Sequence, residues 1–172
     1  MPNDVQVLPL TEILFIVQGQ REPKAHSAHP AMTVAEFGVI AAGAGGIEEI
    51  LEVFMEDADE PLAGELILVE QLPVEFAPLH VARQRAKIAV TIEYNMQHVE
   101  REFRPNATIE RITRWAIGPE GLKLEGDPSD YQLKHDGEVL PPDMHLGQVP
   151  HPHHKVKLDL VFKVKPQGGG VA

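Results

Sequence analysis

The chain has 172 residues, of which 43% are apolar and 5% aromatic, with no cysteine and a net charge of −11. Its length allows one domain or two small ones. Lack of cysteine excludes disulfides, thiolate metal sites and a cysteine nucleophile, and no run approaches the ~18 apolar residues of a membrane span.

The charge is divided unevenly. Residues 1–86 hold 4 Lys/Arg against 14 Asp/Glu, whereas residues 87–172 hold 11 against 12. An acidic first half disfavours nucleic acid and anionic membranes as partners, and the contrast predicts two domains with different surfaces. The start, Met1-Pro2-Asn3-Asp4-Val5, lacks the basic residues and apolar run of a secretory signal, so a cytoplasmic location is expected.

In chain order, Glu12–Gln18 reads as an apolar strand, and Arg21–His29 as a short, irregular second one. Thr33-Val34-Ala35-Glu36 has capping-box spacing and predicts a helix starting at Thr33, which Gly43-Ala44-Gly45-Gly46 stops. Strands are predicted over Ile50–Met55, Glu65–Val69 and Leu79–Arg83, with a boundary near Arg83–Ala86. So short a connection predicts domains that pack or keep a limited range of angles.

The second half repeats the order more clearly. Lys87–Tyr94 and His98–Phe103 alternate as a hairpin about Asn95-Met96-Gln97. Thr108 is the expected N-cap of a helix over Ile109–Ala116, with Ile109, Ile112, Trp115 and Ala116 on its apolar face. Gly118-Pro119-Glu120-Gly121 ends that helix, and strands return at Tyr131–His135 and Val156–Val164. A mixed sheet grasping one helix is the β-grasp arrangement, so the expected fold is α+β. Two tandem β-grasp domains are expected at 1–84 and 85–165, followed by a glycine-rich tail at 166–172.

That tail is Pro166-Gln167-Gly168-Gly169-Gly170-Val171-Ala172. Pro166 cannot donate to a sheet ladder and should end the last strand. Glycines without side chains thread a narrow active site and leave a carboxylate open to activation; chain ends are also commonly glycine-rich and loose.

The second half resembles ubiquitin. The residues that carry the resemblance are Thr108-Ile109-Glu110, Glu120-Gly121-Leu122, Gln132-Leu133, Gly137, Leu140, Leu146, Leu158-Asp159-Leu160-Val161 and the glycine tail, with a longer loop at 123–130. A tandem with glycines after the second unit resembles the interferon-stimulated ubiquitin-like modifier and its bacterial counterparts in antiphage defence operons, the BilA type. The resemblance implies a modifier that is not itself an enzyme and that needs no cofactor. Its implied partners are an E1-like activating enzyme, an E2-like conjugating enzyme, a JAB-type deubiquitinase or processing peptidase, and a target such as a phage tail or other virion protein. Gly168, Gly169 and Gly170 would be the conjugation handle, and Val171 and Ala172 an extension removed by cleavage after Gly170. Lys163 and Lys165 read either as contacts to the activating enzyme or as a solvated strand end. Two positions depart from ubiquitin: Lys134 replaces an apolar residue central to its recognition patch, and Glu138 replaces its main chain-building lysine.

Other signals have two readings each. His145, His151, His153 and His154 suggest a metal site or an exposed loop with alternating proline. His26 and His29 read as surface loop residues. The run Glu56-Asp57-Ala58-Asp59-Glu60 reads as a solvated hairpin tip, since it lacks the glycine and distal glutamate of a calcium loop. Gly43-Ala44-Gly45-Gly46 follows a helix, so it is a stop signal in preference to a phosphate cradle. The competing functions are a non-conjugated β-grasp adaptor and a sulfur carrier. Tandem architecture and Val171-Ala172 argue against the carrier.

Overall fold

A computed structural model describes residues 9–49, 51–72 and 77–163 of the chain. Two mixed sheets, each holding one helix, follow one another. The first contains β1 (Thr11–Val17), β2 (Lys24–Ala28), β3 (Leu51–Phe54) and β4 (Leu79–Arg83) in the order β2-β1-β4-β3. β1 pairs antiparallel with β2 and parallel with β4, in the register Phe15↔Leu79 and Val17↔Val81. Alternation in β1 turns Ile13, Phe15 and Val17 onto α1 (Val34–Gly45), where Phe15 meets Phe37 edge-on with ring centroids 5.2 Å apart.

The second sheet contains β5 (Ile88–Tyr94), β6 (Gln97–Phe103), β7 (Tyr131–His135), β8 (Glu138–Val139) and β9 (Lys155–Phe162), ordered β6-β5-β9-β7-β8. Asn95 and Met96 both take left-handed backbone (φ 45° and 64°), as a two-residue hairpin with the matching twist requires. α2 (Ile109–Ile117) buries Ile109, Ile112 and Ala116 against this sheet, and Trp115 packs at the margin. Its exit needs glycine at 121, because a Cβ there would lie 2.4 Å from the carbonyl oxygens of Trp115 and Ala116. The apolar residues form two separate clusters, one per sheet.

The two units share a detail beyond strand order. The first free N–H groups of α1, on Val34 and Ala35, donate to the carbonyls of Leu66 and Gly64; those of α2, on Ile109 and Glu110, donate to Met144 and Pro142. Leu68 then donates to Met32 as Leu146 does to Ala107, and a 3₁₀ turn follows in both, at Leu68–Gln71 and Leu146–Gln148. This corrects the expectation of a strand over Glu65–Val69. That segment makes only an isolated bridge, Thr33↔Ile67, because its backbone satisfies the start of α1 and Leu68 plugs the core.

Two smaller corrections follow the same logic. α1 continues through the glycines to Gly45, and Gly46, at φ 65°, is the residue that stops it. His26 lies in β2 and tilts against Phe37, so it is no loop residue; His29 is exposed just beyond the strand.

Candidate functional site

Two regions bear on function: the root of the tail and the seam between the domains. β9 is central in its sheet, parallel to β5 and antiparallel to β7. Its last pair is Tyr131↔Phe162, and Lys163 N–H then donates to Asp130 O at 2.8 Å. Phe162 is 53% exposed and packs edge-on against Tyr131, with centroids 5.3 Å apart. Tyr131 is fixed in turn by its hydroxyl, which donates to Glu125 O at 2.7 Å. Asp127 caps the adjoining turn; hydrogen bonds from Ser129 hold its carboxyl below the usual carboxylate range. Lys163 also borders a cavity of about 560 Å³ between α2 and β7, with Tyr131, Leu133, Leu140 and Asp127 in its walls. Lys165, Gly168, Gly169, Gly170, Val171 and Ala172 lie outside the described residues.

At this end the outer sheet face is polar. Lys134 stands beside Asp159 in register, and Lys157 pairs with Glu93 at 2.9 Å. The carboxylate of Glu93 raises the pKa of Lys157 through that hydrogen bond. The face therefore offers ion pairs where the resemblance to ubiquitin would place an apolar patch.

The seam lies at the opposite end of β9. Ile16, Phe54 and His80 are 4%, 2% and 3% exposed, yet they belong to neither core cluster. They form the outer face of the first sheet, against the loops of the second domain. His80 lies against His145 with centroids 3.9 Å apart and the rings tilted by 55°, and the Arg104 guanidinium lies 5.2 Å from the Phe54 ring centroid. Gly19 N–H donates to Gly147 O at 2.9 Å, joining the two backbones directly.

The acidic run is the centre of this seam, which corrects its reading as a solvated tip. The Asp57 carboxylate accepts from Thr108 N–H at 2.8 Å and from Thr108 Oγ1 at 2.9 Å. In α1 the equivalent N-cap N–H, on Thr33, donates to Glu36 of its own helix. α2 has Arg111 at that position, so the first domain supplies the missing carboxylate in trans. Arg111 instead donates to Asp57 O at 2.8 Å and pairs with Asp59 at 3.0 Å, and this pairing holds the Asp59 carboxyl below its ordinary pKa. Buried Asn106 donates from Nδ2 to Met55 O and Ala58 O, at 2.9 and 2.8 Å.

The histidines are divided by the same seam. His145 Nε2 is 2.6 Å from Glu56 Oε1, and its Nδ1 is 3.2 Å from Gln148 Oε1, whose amide Nε2 donates to Arg21 O. His151 Nδ1 donates to Val149 O while its Nε2 meets Gln18 Nε2. His153 and His154 sit in the turn before β9. Among the described residues no three metal-ligating side chains converge. His80 is neutral: burial, then the neighbouring His145, pushes its pKa down to about 3. Glu138 pairs with Arg21 of the first domain at 3.1 Å, both exposed. Sequence reasoning missed the seam; its one visible trace was the short connection between the two strand patterns.

The topology β6-β5-β9-β7-β8 about a single helix, repeated in reduced form by the first sheet, defines a protein of two tandem ubiquitin-like β-grasp domains. Residues 89–163 match the family described as BilA ubiquitin-like domain 2, so the second domain is similar to that family. Among solved structures the chain is similar to Caldiarchaeum subterraneum ubiquitin, at 22% identity over 48% of this chain and 99% of that one, with a TM-score of 0.37. It is similar to a ubiquitin-based designed protein at 17% identity, over 49% and 98% of the two chains and with a TM-score of 0.38. An N-terminal ubiquitin-like domain solved in solution is 14% identical over 50% and 84%, also at 0.38. No curated protein matches the chain. Among the described residues, no helix is long and apolar enough to cross a membrane.

Proposed function

We propose that the chain is a conjugated protein modifier whose handle is Gly168-Gly169-Gly170. The observation that carries this reading is the placement of the tail root. The seam engages the loops at 104–111 and 141–151, next to the start of β9, whereas Lys163 leaves at the other end of the strand. Eight residues of strand span about 25 Å, so Lys163 lies on the side of the second domain away from the first, which supports a reading in which an enzyme acts on the chain beyond it.

In the proposed sequence, a peptidase hydrolyses the peptide bond after Gly170 and exposes its carboxylate. An activating enzyme adenylates that carboxylate with ATP, releasing pyrophosphate. A cysteine thiolate of the enzyme then displaces AMP to form a thioester. A conjugating enzyme delivers the acyl group to an amine on the target, and the thiol leaves. The nucleophiles all come from the partners, as suits a cysteine-free chain. By analogy with its BilA-type second domain, we place the process in the cytoplasm, with virion proteins as targets.

Reconstitution tests this. The chain ending at Gly170, mixed with the activating enzyme and ATP, should give a thioester that reducing agent removes. Absence of the thioester, or normal conjugation by Gly170→Ala, would sink the reading.

A further inference from the structure

α1 differs from α2 on its outer face. α2 presents Glu110 and Arg114 outward, as a surface helix does, and turns Arg111 to the seam. α1 buries Val34, Phe37, Gly38 and Ala41, and then exposes more apolar surface: Val39 at 75%, Ile40 at 37%, with Ala35, Gly43 and Ala44 beside them. Its one charged residue, Glu36, is engaged by the cap at its start. A helix that is apolar all round is normally covered on both sides. No described residue packs over Val39, and a Cβ built on Gly43 would meet nothing within 4 Å, so a partner backbone has room to approach closely.

The surroundings of this face say what fits it. From Ala25 to Ala82 the sequence holds no Lys or Arg and 11 Asp/Glu. Glu36 stands at one end of α1, and Glu48 and Glu49 follow its other end, both exposed. The rim is therefore rich in carboxylates, of which Glu49 is paired with Arg83 at 3.5 Å while Glu36 and Glu48 face outward. A second copy of this face would bring like charges together, and residues 1–8 of this chain contain no Lys or Arg to answer them. An anionic membrane is repelled on the same ground.

We propose that the outer face of α1 is a docking surface for an amphipathic helix of a partner protein, one with an apolar stripe and flanking Lys/Arg. The stripe would pack on Val39, Ile40 and Gly43, and the cations would meet Glu36 and Glu48. This surface is separate from the tail, so it stands whether or not the glycines are conjugated.

The test uses the full chain and two synthetic helices of about 14 residues with the same leucine stripe, one flanked by lysines and the other by glutamates. Titration followed by backbone amide NMR should show the lysine helix shifting Val39, Ile40 and Gly43 most. Val39→Gln should raise its Kd about tenfold without changing the unfolding midpoint, and Met96→Gln on the second domain should leave Kd unchanged. Equal binding by the glutamate helix, or shifts spread over other acidic segments, would overturn the proposal. So would a Val39→Gln variant of unaltered affinity. It also fails if the wild type is a dimer that Val39→Gln makes monomeric, or if deleting residues 1–8 alone creates the site, since the occupant is then a second copy or the chain's own start.

Discussion

His80 shows how one buried side chain sets a property of the whole seam. Unfolded, it takes a proton near the ordinary histidine value of 6.5; folded, only at about 3. Between those values the unfolded chain binds more protons, so stability falls as pH drops, by about 1.4 kcal/mol per unit at the steepest. Urea unfolding at pH 7.5 and pH 5 should therefore differ by about 2 kcal/mol from this residue, and His80→Leu should remove that part of the slope. Asp57 makes the second residue-scale prediction. Asp57→Ala leaves Thr108 N–H and its hydroxyl without their acceptor, although Thr108 Oγ1 still caps Arg111 N–H. The second domain should lose about 1–2 kcal/mol, seen by hydrogen exchange at α2. In Asp57→Ala/Thr108→Ala the two losses should not add.

At the scale of elements, two glycines separate close approach from mere tolerance. Gly121 follows α2 where backbone oxygens leave no space for a Cβ, whereas Gly43 lies inside α1 with open space around it. Gly121→Ala should destabilise the second domain by about 2 kcal/mol or more, and Gly43→Ala should stabilise the first by about 0.5–1 kcal/mol. Thermal unfolding of both variants checks the opposite signs. Both helices were legible from their caps, Thr33 and Thr108, because capping chemistry is local. The segment Glu65–Val69 was not. Its apolar run looked like a strand, but its hydrogen bonds go to the first turn of α1, and no local pattern records that destination.

For the whole molecule, the seam decides how the two domains act. Asn106 donates to two carbonyls of the first domain while Asp57 accepts from Thr108 of the second, so direct hydrogen bonds join the two domains. Asn106→Ala removes one hydrogen bond from Met55 O and one from Ala58 O. Combined with Asp57→Ala, it should loosen the seam and raise the radius of gyration measured by X-ray scattering, with each β-grasp core still folded. Removal of residues 166–172 should leave scattering and stability unchanged while abolishing any covalent ladder on a denaturing gel. That outcome separates a modifier from an adaptor.

The sequence by itself determined the two helices, most of the strands and the tandem plan, because each rests on periodicity or on a few adjacent residues. It also showed the acidic first half, since charge is a sum over composition. Only the tertiary structure decided what that acidity does. The run from Glu56 to Glu60 has the composition of a solvated tip, yet Asp57 meets Thr108 across 51 positions and Glu56 meets His145 across 89. Contacts at such separation depend on how two finished sheets dock, and that information resides in the folded surfaces. The glycine run was visible from the start; that β9 ends away from the seam became visible only in three dimensions.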